Sequence, residues 1–242
     1  MENKTIAIMQ PYFLPYIGYF HLVCSADVFV IYDNLKYTKR GWINRNRFLE
    51  HGSDAVFSIP LRKASDSLNI DQRELADSFD REKLLRRVSS AYAKAPHFDS
   101  AMALFESAVR YDAANLFSFL HHSLQLVLDH LKIARTILRS SEIQIDHQLS
   151  GQEKVIAICQ AQQATTYINA IGGLSLYDEP SFANAGLDLR FIESHPRPYT
   201  QFDNEFVPWL SIIDLLMFNS IETVRDDALR GYSLISRPVT VA

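Results

Sequence analysis

Short apolar runs alternate along this chain with segments of helical period. Thr5 to Met9 is too short for a helix, is ended by Gln10-Pro11, and reads as a buried strand. A helix-length apolar segment follows, about Tyr16 to Ser25, and then the β-branched and aromatic run Val28 to Tyr32, closed by Asp33-Asn34. Ala55 to Leu61, Ala134 to Leu138, Thr165 to Ile168 and Leu187 to Glu193 read as further strands. Asp80 is an N-cap ahead of Leu84, Leu85 and Val88, which share one helical face, and Ala95-Pro96 breaks that helix. Helices are also predicted over Asp99 to Val109, Asn115 to Leu131, Ser150 to Gln162, Tyr177 to Ala185 and Ser211 to Phe218. Alternation of this kind predicts an α/β fold, a parallel sheet flanked by helices. The strands at Thr5–Met9, Val28–Tyr32, Thr165–Ile168 and Leu187–Ile192 should lie parallel in it. Residues 78–131 read as a helical insertion or subdomain within a single domain spanning 1–242. Arg62 to Asp77 reads as a surface loop or ribbon, and Ser236 to Ala242 as a frayed tail.

Composition narrows the function classes. At 242 residues, with 48% apolar and 21% charged side chains, the chain can bury a substantial core as a soluble globular protein. A net charge of −4 argues against a general nucleic-acid binder. Cys24 and Cys159 stand far apart in apolar contexts and read as buried free thiols in a reducing compartment. No cationic segment leads into a long apolar run and no stretch of about 18 apolar residues occurs, so a cytoplasmic protein without a membrane span is expected. His121, His122 and His130 lack acids or cysteines at ligand spacing and read as ordinary helix residues.

In parallel sheets ligands bind beyond the carboxyl ends of the strands, where Gln10 to Gly18 and Asp33 to Arg47 would both lie. Lys36, Lys39, Arg40, Arg45 and Arg47 fall there with no acid among them, and with the helix start they make a place for phosphate. Asn44 and Asn46 add polar contacts. Arg45, without a local acidic partner, is expected on substitution by alanine to impair turnover far more than folding. Gln10, Gly18, Arg45 and Gly173 should meet around one cleft. Ser140-Ser141 follows a strand and suits either phosphate or a helix N-cap, while Asn169, Gly172 and Gly173 suit a ligand or a plain tight turn. Asp214, the one charge in an apolar helix, either ties a loop or takes part in the site. No nucleophile elbow, dinucleotide fingerprint or Walker loop is present.

The segments IMQPYFLPYIGYF, VIYDN, KRGWINRNR, YAKAPHF, SSEI, YINAIGGLSLYD and LSIIDLLMFN together resemble the WbqC-like family over nearly the whole chain. That family is bacterial and often encoded with genes for surface-polysaccharide (O-antigen) sugars; some members look like enzymes that attach an amino acid such as glycine to an amino sugar. A more distant resemblance is to the HUP superfamily of nucleotidylyltransferases and pantothenate-synthetase-like ligases. It implies a Rossmann-like sheet and sets Tyr16-Ile17-Gly18-Tyr19 where those enzymes carry His-x-Gly-His. A phenol donates a hydrogen bond but carries no positive charge at neutral pH, and a helix that packs through its aromatics would show the same residues.

These resemblances imply an ATP-dependent ligase. A small amino acid's carboxylate attacks the α-phosphorus of ATP, pyrophosphate leaves, and the amine of a nucleotide-linked amino sugar captures the acyl adenylate. Gln10, Tyr16, Tyr19 and Arg45 would act on the reacting groups. Gly18, Lys39, Arg40, Asn44, Asn46, Arg47, Ser140, Ser141, Asn169, Gly172 and Gly173 would hold nucleotide, with Mg²⁺ accompanying ATP. The alternatives are a non-catalytic nucleotide-sugar-binding protein and an acyltransferase that uses no ATP.

Overall fold

The computed structural model describes residues 3–203 and 205–236. β1 (Thr5–Met9) lies inside a six-stranded sheet with β2 (Val28–Ile31) on one side and β6 (Thr166–Ala170) on the other. β5 (Thr136–Arg139) continues the sheet beyond β2, and β7 (Asp188–Ser194) and β8 (Tyr232–Ile235) continue it beyond β6, giving the order β5-β2-β1-β6-β7-β8. All pairings are parallel except β7 with β8. The four strands expected to run parallel do so, in a Rossmann-like α/β fold. Strand order reverses between β1 and β6, and the crevice at such a point is where open α/β sheets place ligands.

The strands are apolar at successive positions because both faces are covered. Ala7, Phe29, Ile31, Ile168 and Ile192 share one core with α1 (Ile17–Ser25), α4 (Leu116–His130), α7 (Ile212–Phe218) and α8 (Ile221–Arg230). Ile6, Ile8, Val30, Tyr167 and Phe191 face the other way, against α5 (Gly151–Ala161) and α6 (Glu179–Asn184). α1 is apolar nearly all round, and every residue from Ile17 to Cys24 is buried. α2 (Arg81–Tyr92), α3 (Phe98–Arg110) and α4 join the α1 side of the core. Asp80 and Asn115 cap α2 and α4 as their positions suggest, accepting from the amides of Lys83 and Ser118. Cys24 and Cys159 are buried free thiols.

Three elements differ from expectation. Ala55 to Leu61 does not enter the central sheet: β4 (Ser53–Ser58) forms a separate antiparallel hairpin with β3 (Arg45–Glu50). Its turn, His51-Gly52, has φ of 53° and 76°, the positive pair that a two-residue hairpin with matching twist requires. So Arg45, Asn46 and Arg47 stand on a strand, not in a loop. α8 and β8 also went unread, because α8 is half charged and β8 is only four residues long. Of the tail expected from Ser236 to Ala242, all but Ser236 lies outside the described residues.

Candidate functional site

The segment from β1 to α1 is held by two elements distant in sequence. Asn46 is buried and donates through Nδ2 to the Phe13 and Leu14 carbonyls at 3.1 and 2.6 Å. Ser211 Oγ donates to the same Leu14 carbonyl at 2.7 Å. Backbone bonds complete the junction: Phe13 N to Ile43 O, Ser211 N to Arg47 O and Ile212 N to Pro15 O, at 2.8 to 3.0 Å. Leu14 itself has φ 43°, a left-handed conformation that disfavours a branched side chain by about 1–2 kcal/mol. Trp209 opposite has φ 62° and is strained in the same way. Residues held in such strained conformations cluster at functional sites.

Beside this junction lies a cleft of about 210 Å³, lined by Tyr12, Tyr16, Trp42, Asn46, Arg47 and Trp209 among others. The chain has two tryptophans, and both are in this lining with exposures of 40% and 49%. Arg47 lies over the Trp42 ring at 5.2 Å. Its Nη1 meets Asp54 at 3.1 Å and its Nη2 donates to the Trp209 carbonyl at 3.2 Å, but the buried Nε–H has no partner among the described residues. Asp54 is half-exposed, so the pair is screened by solvent and leaves the guanidinium able to meet an anion. Burial raises the Tyr12 phenol, against the opposing Gln10 hydrogen bond, and burial likewise raises that of Tyr16. Both stay neutral donors at neutral pH.

The residues singled out in the sequence fall into three groups. Tyr16, Asn46 and Arg47 line the cleft. Gln10 stands one step behind it, its Nε2 donating to Tyr12 Oη at 2.8 Å. Gly18 underlies Tyr16: a Cβ there would come within 2.3 Å of the Tyr16 ring, so the glycine makes room for this tyrosine.

A second group ties the neighbouring chain together. Tyr19 is 3% exposed and packs on Tyr12 and Phe29, with its hydroxyl donating to the Gln10 carbonyl at 3.3 Å. Asn44 accepts from Tyr37 Oη at 2.8 Å and donates to Ile59 O at 2.7 Å. Arg45 has no acidic partner among the described residues, as expected, yet its Nε donates to Gly41 O at 2.8 Å and its Nη2 to Arg40 O. It also lies over Trp42 at 4.9 Å, so it shapes the turn that carries that ring. Lys39 pairs with Asp66 at 2.7 Å, and Arg40 is exposed. The acids missing from the local sequence arrive from Asp54 and Asp66.

The third group occupies other corners of the sheet's carboxyl edge. Ser140 and Ser141 commit their hydroxyls to the buried Asp33 at 2.8 and 2.6 Å, joined by the Ser141 amide and the Arg139 guanidinium. Burial alone would raise this carboxyl, but the two hydroxyls, the amide and the guanidinium outweigh it and hold it below the ordinary value of 3.8. Asp33→Asn should therefore destabilise the protein at pH 7 by about 2–4 kcal/mol. Because the folded-state value is depressed, the wild type's advantage is full above the ordinary carboxylate value and disappears as pH falls through the folded one. Urea unfolding midpoints at pH 7 and pH 3 check this. Asn169 and Gly173 close the β6 end, where a Cβ at 173 would meet Asn169 Nδ2 at 2.2 Å, while Gly172 is open. None of these five residues lines the cleft.

Gly18→Ala is a sharp test of the cleft. The added methyl meets only the tip of the Tyr16 ring, and alanine's better helix propensity, about 1 kcal/mol, offsets the crowding. Melting should barely change. Loss of the Tyr16 face should weaken a stacked ligand by up to about tenfold in a fluorescence titration.

Tyr12, Trp42 and Trp209 were missed as site residues. The signal for Trp42 was present: a tryptophan directly after the polar stretch Thr38-Lys39-Arg40-Gly41. Sheet and cleft together define a Rossmann-like α/β protein with an aromatic and cationic cleft where the chain leaves its central strand. The chain belongs to the WbqC-like protein family, whose model matches residues 10–226. It is also 29% identical over 218 residues to the "Uncharacterized protein Rv1507c" of Mycobacterium tuberculosis (strain ATCC 25618 / H37Rv), covering 88% of this chain and 93% of that protein. Among the described residues no helix is long and apolar enough to cross a membrane.

Proposed function

We propose that the cleft binds a nucleotide-linked amino sugar and that the protein acylates its amine with a small amino acid at the expense of ATP. The observation that carries the binding part is the placement of both tryptophans, half-exposed, on one cleft with Arg47 between them. Indole faces stack on nucleobases and sugar rings, and a guanidinium meets phosphate through paired N–H donors. The reaction part extends the family resemblance. Tyrosine hydroxyls, an amide and a guanidinium supply positioning and charge, and transfer at phosphorus relies on those.

The same cleft suits the adenine and phosphates of ATP. Magnesium is different, because no group of three or more acidic, histidine or cysteine side chains is placed to hold an ion among the described residues. Asp33, the enclosed carboxylate of this edge, is already filled by its four donors.

Protein incubated with Mg-ATP, a panel of amino acids and UDP- or dTDP-linked amino sugars, followed by mass spectrometry, tests the proposal. Expected is a sugar heavier by one aminoacyl group, with AMP and pyrophosphate released. An acylated sugar without AMP would point to an ATP-independent acyltransferase, and sugar binding without any product to a binding protein. Failure of every nucleotide sugar to perturb the tryptophan fluorescence would remove the reading.

A further inference from the structure

Beyond Tyr16 and Trp209 the cleft adjoins a second, smaller cavity of about 20 Å³, enough for one water-sized group. Its lining is apolar apart from Arg197 and Asp227 and includes four aromatic rings: Tyr16 and Trp209 meet edge to face at 5.7 Å, and Tyr199 and Phe206 at 5.0 Å. Asp227 of α8 also lines it, with a side chain only 9% exposed and Oδ1 lacking a hydrogen-bond partner among the described residues. The nearest candidate, His21 Nε2, is 3.9 Å away, beyond hydrogen-bond range. Burial lowers His21 to about 4, so at neutral pH it brings no charge. Arg197 is the cation in the lining; it is exposed and makes no ion pair with Asp227 within salt-bridge distance.

A buried aspartate that shares the lining of a water-sized space with four aromatic side chains has the features of a cage for an alkylammonium group. The rings attract a cation through their faces, and the carboxylate supplies its hydrogen bond and counter-charge. We propose that this cavity is an ammonium subsite that holds the primary amine of a small substrate beside the cleft. Assigning that amine to the amino-acid substrate rests on the function proposed above; the cage itself does not. Held there as the ammonium, the amine of the acyl donor is not a nucleophile, which would prevent the donor from acylating itself.

In a Trp42→Phe background Trp209 is the sole indole and reports on the cavity. Methylammonium and glycine should each change its fluorescence saturably, and acetate at equal ionic strength should not. Asp227→Asn should weaken both by at least tenfold while leaving a UDP-linked sugar's affinity unchanged. Phe206→Ala, which leaves every buried polar contact in place, should weaken methylammonium severalfold and guards against misfolding of the Asp227 variant. Arg197→Ala should keep or tighten binding, since it removes a competing cation. Methylammonium that gives no saturable response, or titrates Asp227→Asn as it does the parent, would overturn the cage. Ammonium binding that survives while every nucleotide sugar fails would leave the cage standing and remove only its link to the proposed reaction.

Discussion

Asp214→Ala should lower the unfolding free energy by about 3–5 kcal/mol. Asp214 is fully buried in α7 and accepts from Tyr92 Oη at 2.6 Å, Tyr199 Oη at 2.5 Å and Gln201 Nε2 at 2.7 Å. Alanine strands two buried hydroxyls, each worth roughly 1–3 kcal/mol when unmade, whereas Gln201 keeps the Val207 carbonyl at 3.1 Å. Of the two roles open to this aspartate, tying a loop is the one its contacts describe, since Tyr199 and Gln201 both come from the segment between β7 and α7. Asp214→Asn retains an acceptor and should recover part of the loss. Burial, opposed by the three donors, leaves the native carboxyl above its ordinary 3.8. The folded state then binds the proton more readily, so wild-type stability should fall as pH rises from the ordinary to the raised value, and Asp214→Asn should lack that slope. Urea unfolding across pH 3.5 to 7 measures both effects.

Arg47→Ala should weaken nucleotide-sugar binding by about 10- to 150-fold, the equivalent of roughly 1.5–3 kcal/mol for a hydrogen-bonded charge. Its partners in the free protein are a half-exposed Asp54 and one carbonyl, so folding should lose about 1 kcal/mol or less from the ion pair. Arg47→Lys should restore little, because an ammonium does not reproduce the planar pair of donors. Arg45→Ala offers the contrast. Its guanidinium serves the Gly41 and Arg40 carbonyls and the Trp42 face, so it should act by loosening the turn and should weaken binding less. Calorimetric titration with a UDP-linked amino sugar, alongside melting temperatures, separates them. Equal affinity in Arg47→Ala and wild type would take the cation out of the site.

The central sheet was legible because buried parallel strands write themselves as unbroken apolar runs, as Ile6-Ala7-Ile8 and Val28 to Ile31 do. Helix starts were legible where one side chain does the capping, at Asp80 and Asn115. The hairpin was not, because its inward positions include Asn46, a polar side chain buried to serve carbonyls of another segment, so the alternation looked broken. The same limit applied to the cations. A stretch free of acids says nothing of acids brought in by folding, and Lys39 and Arg47 found theirs 27 and 7 residues away. The cleft needed Trp209, which lies 167 positions beyond Trp42 and is brought to it by contacts of the 209–212 segment with Leu14, Pro15 and Arg47.

β1 takes Val28 as a neighbour on one side and Tyr167 on the other, both opposite Ile6. One flank can therefore close as soon as β2 exists, but the other must wait for roughly 140 further residues, about 7 to 28 s of synthesis at 5–20 residues per second. Throughout that interval a flat apolar strand edge stands open on the nascent chain. Loop closure over such a separation is also entropically costly before any pairing repays it, which makes insertion of β6 a slow event for this topology. The position of β1 that puts the reversal of strand order beside it is thus the one that keeps the newborn chain exposed longest.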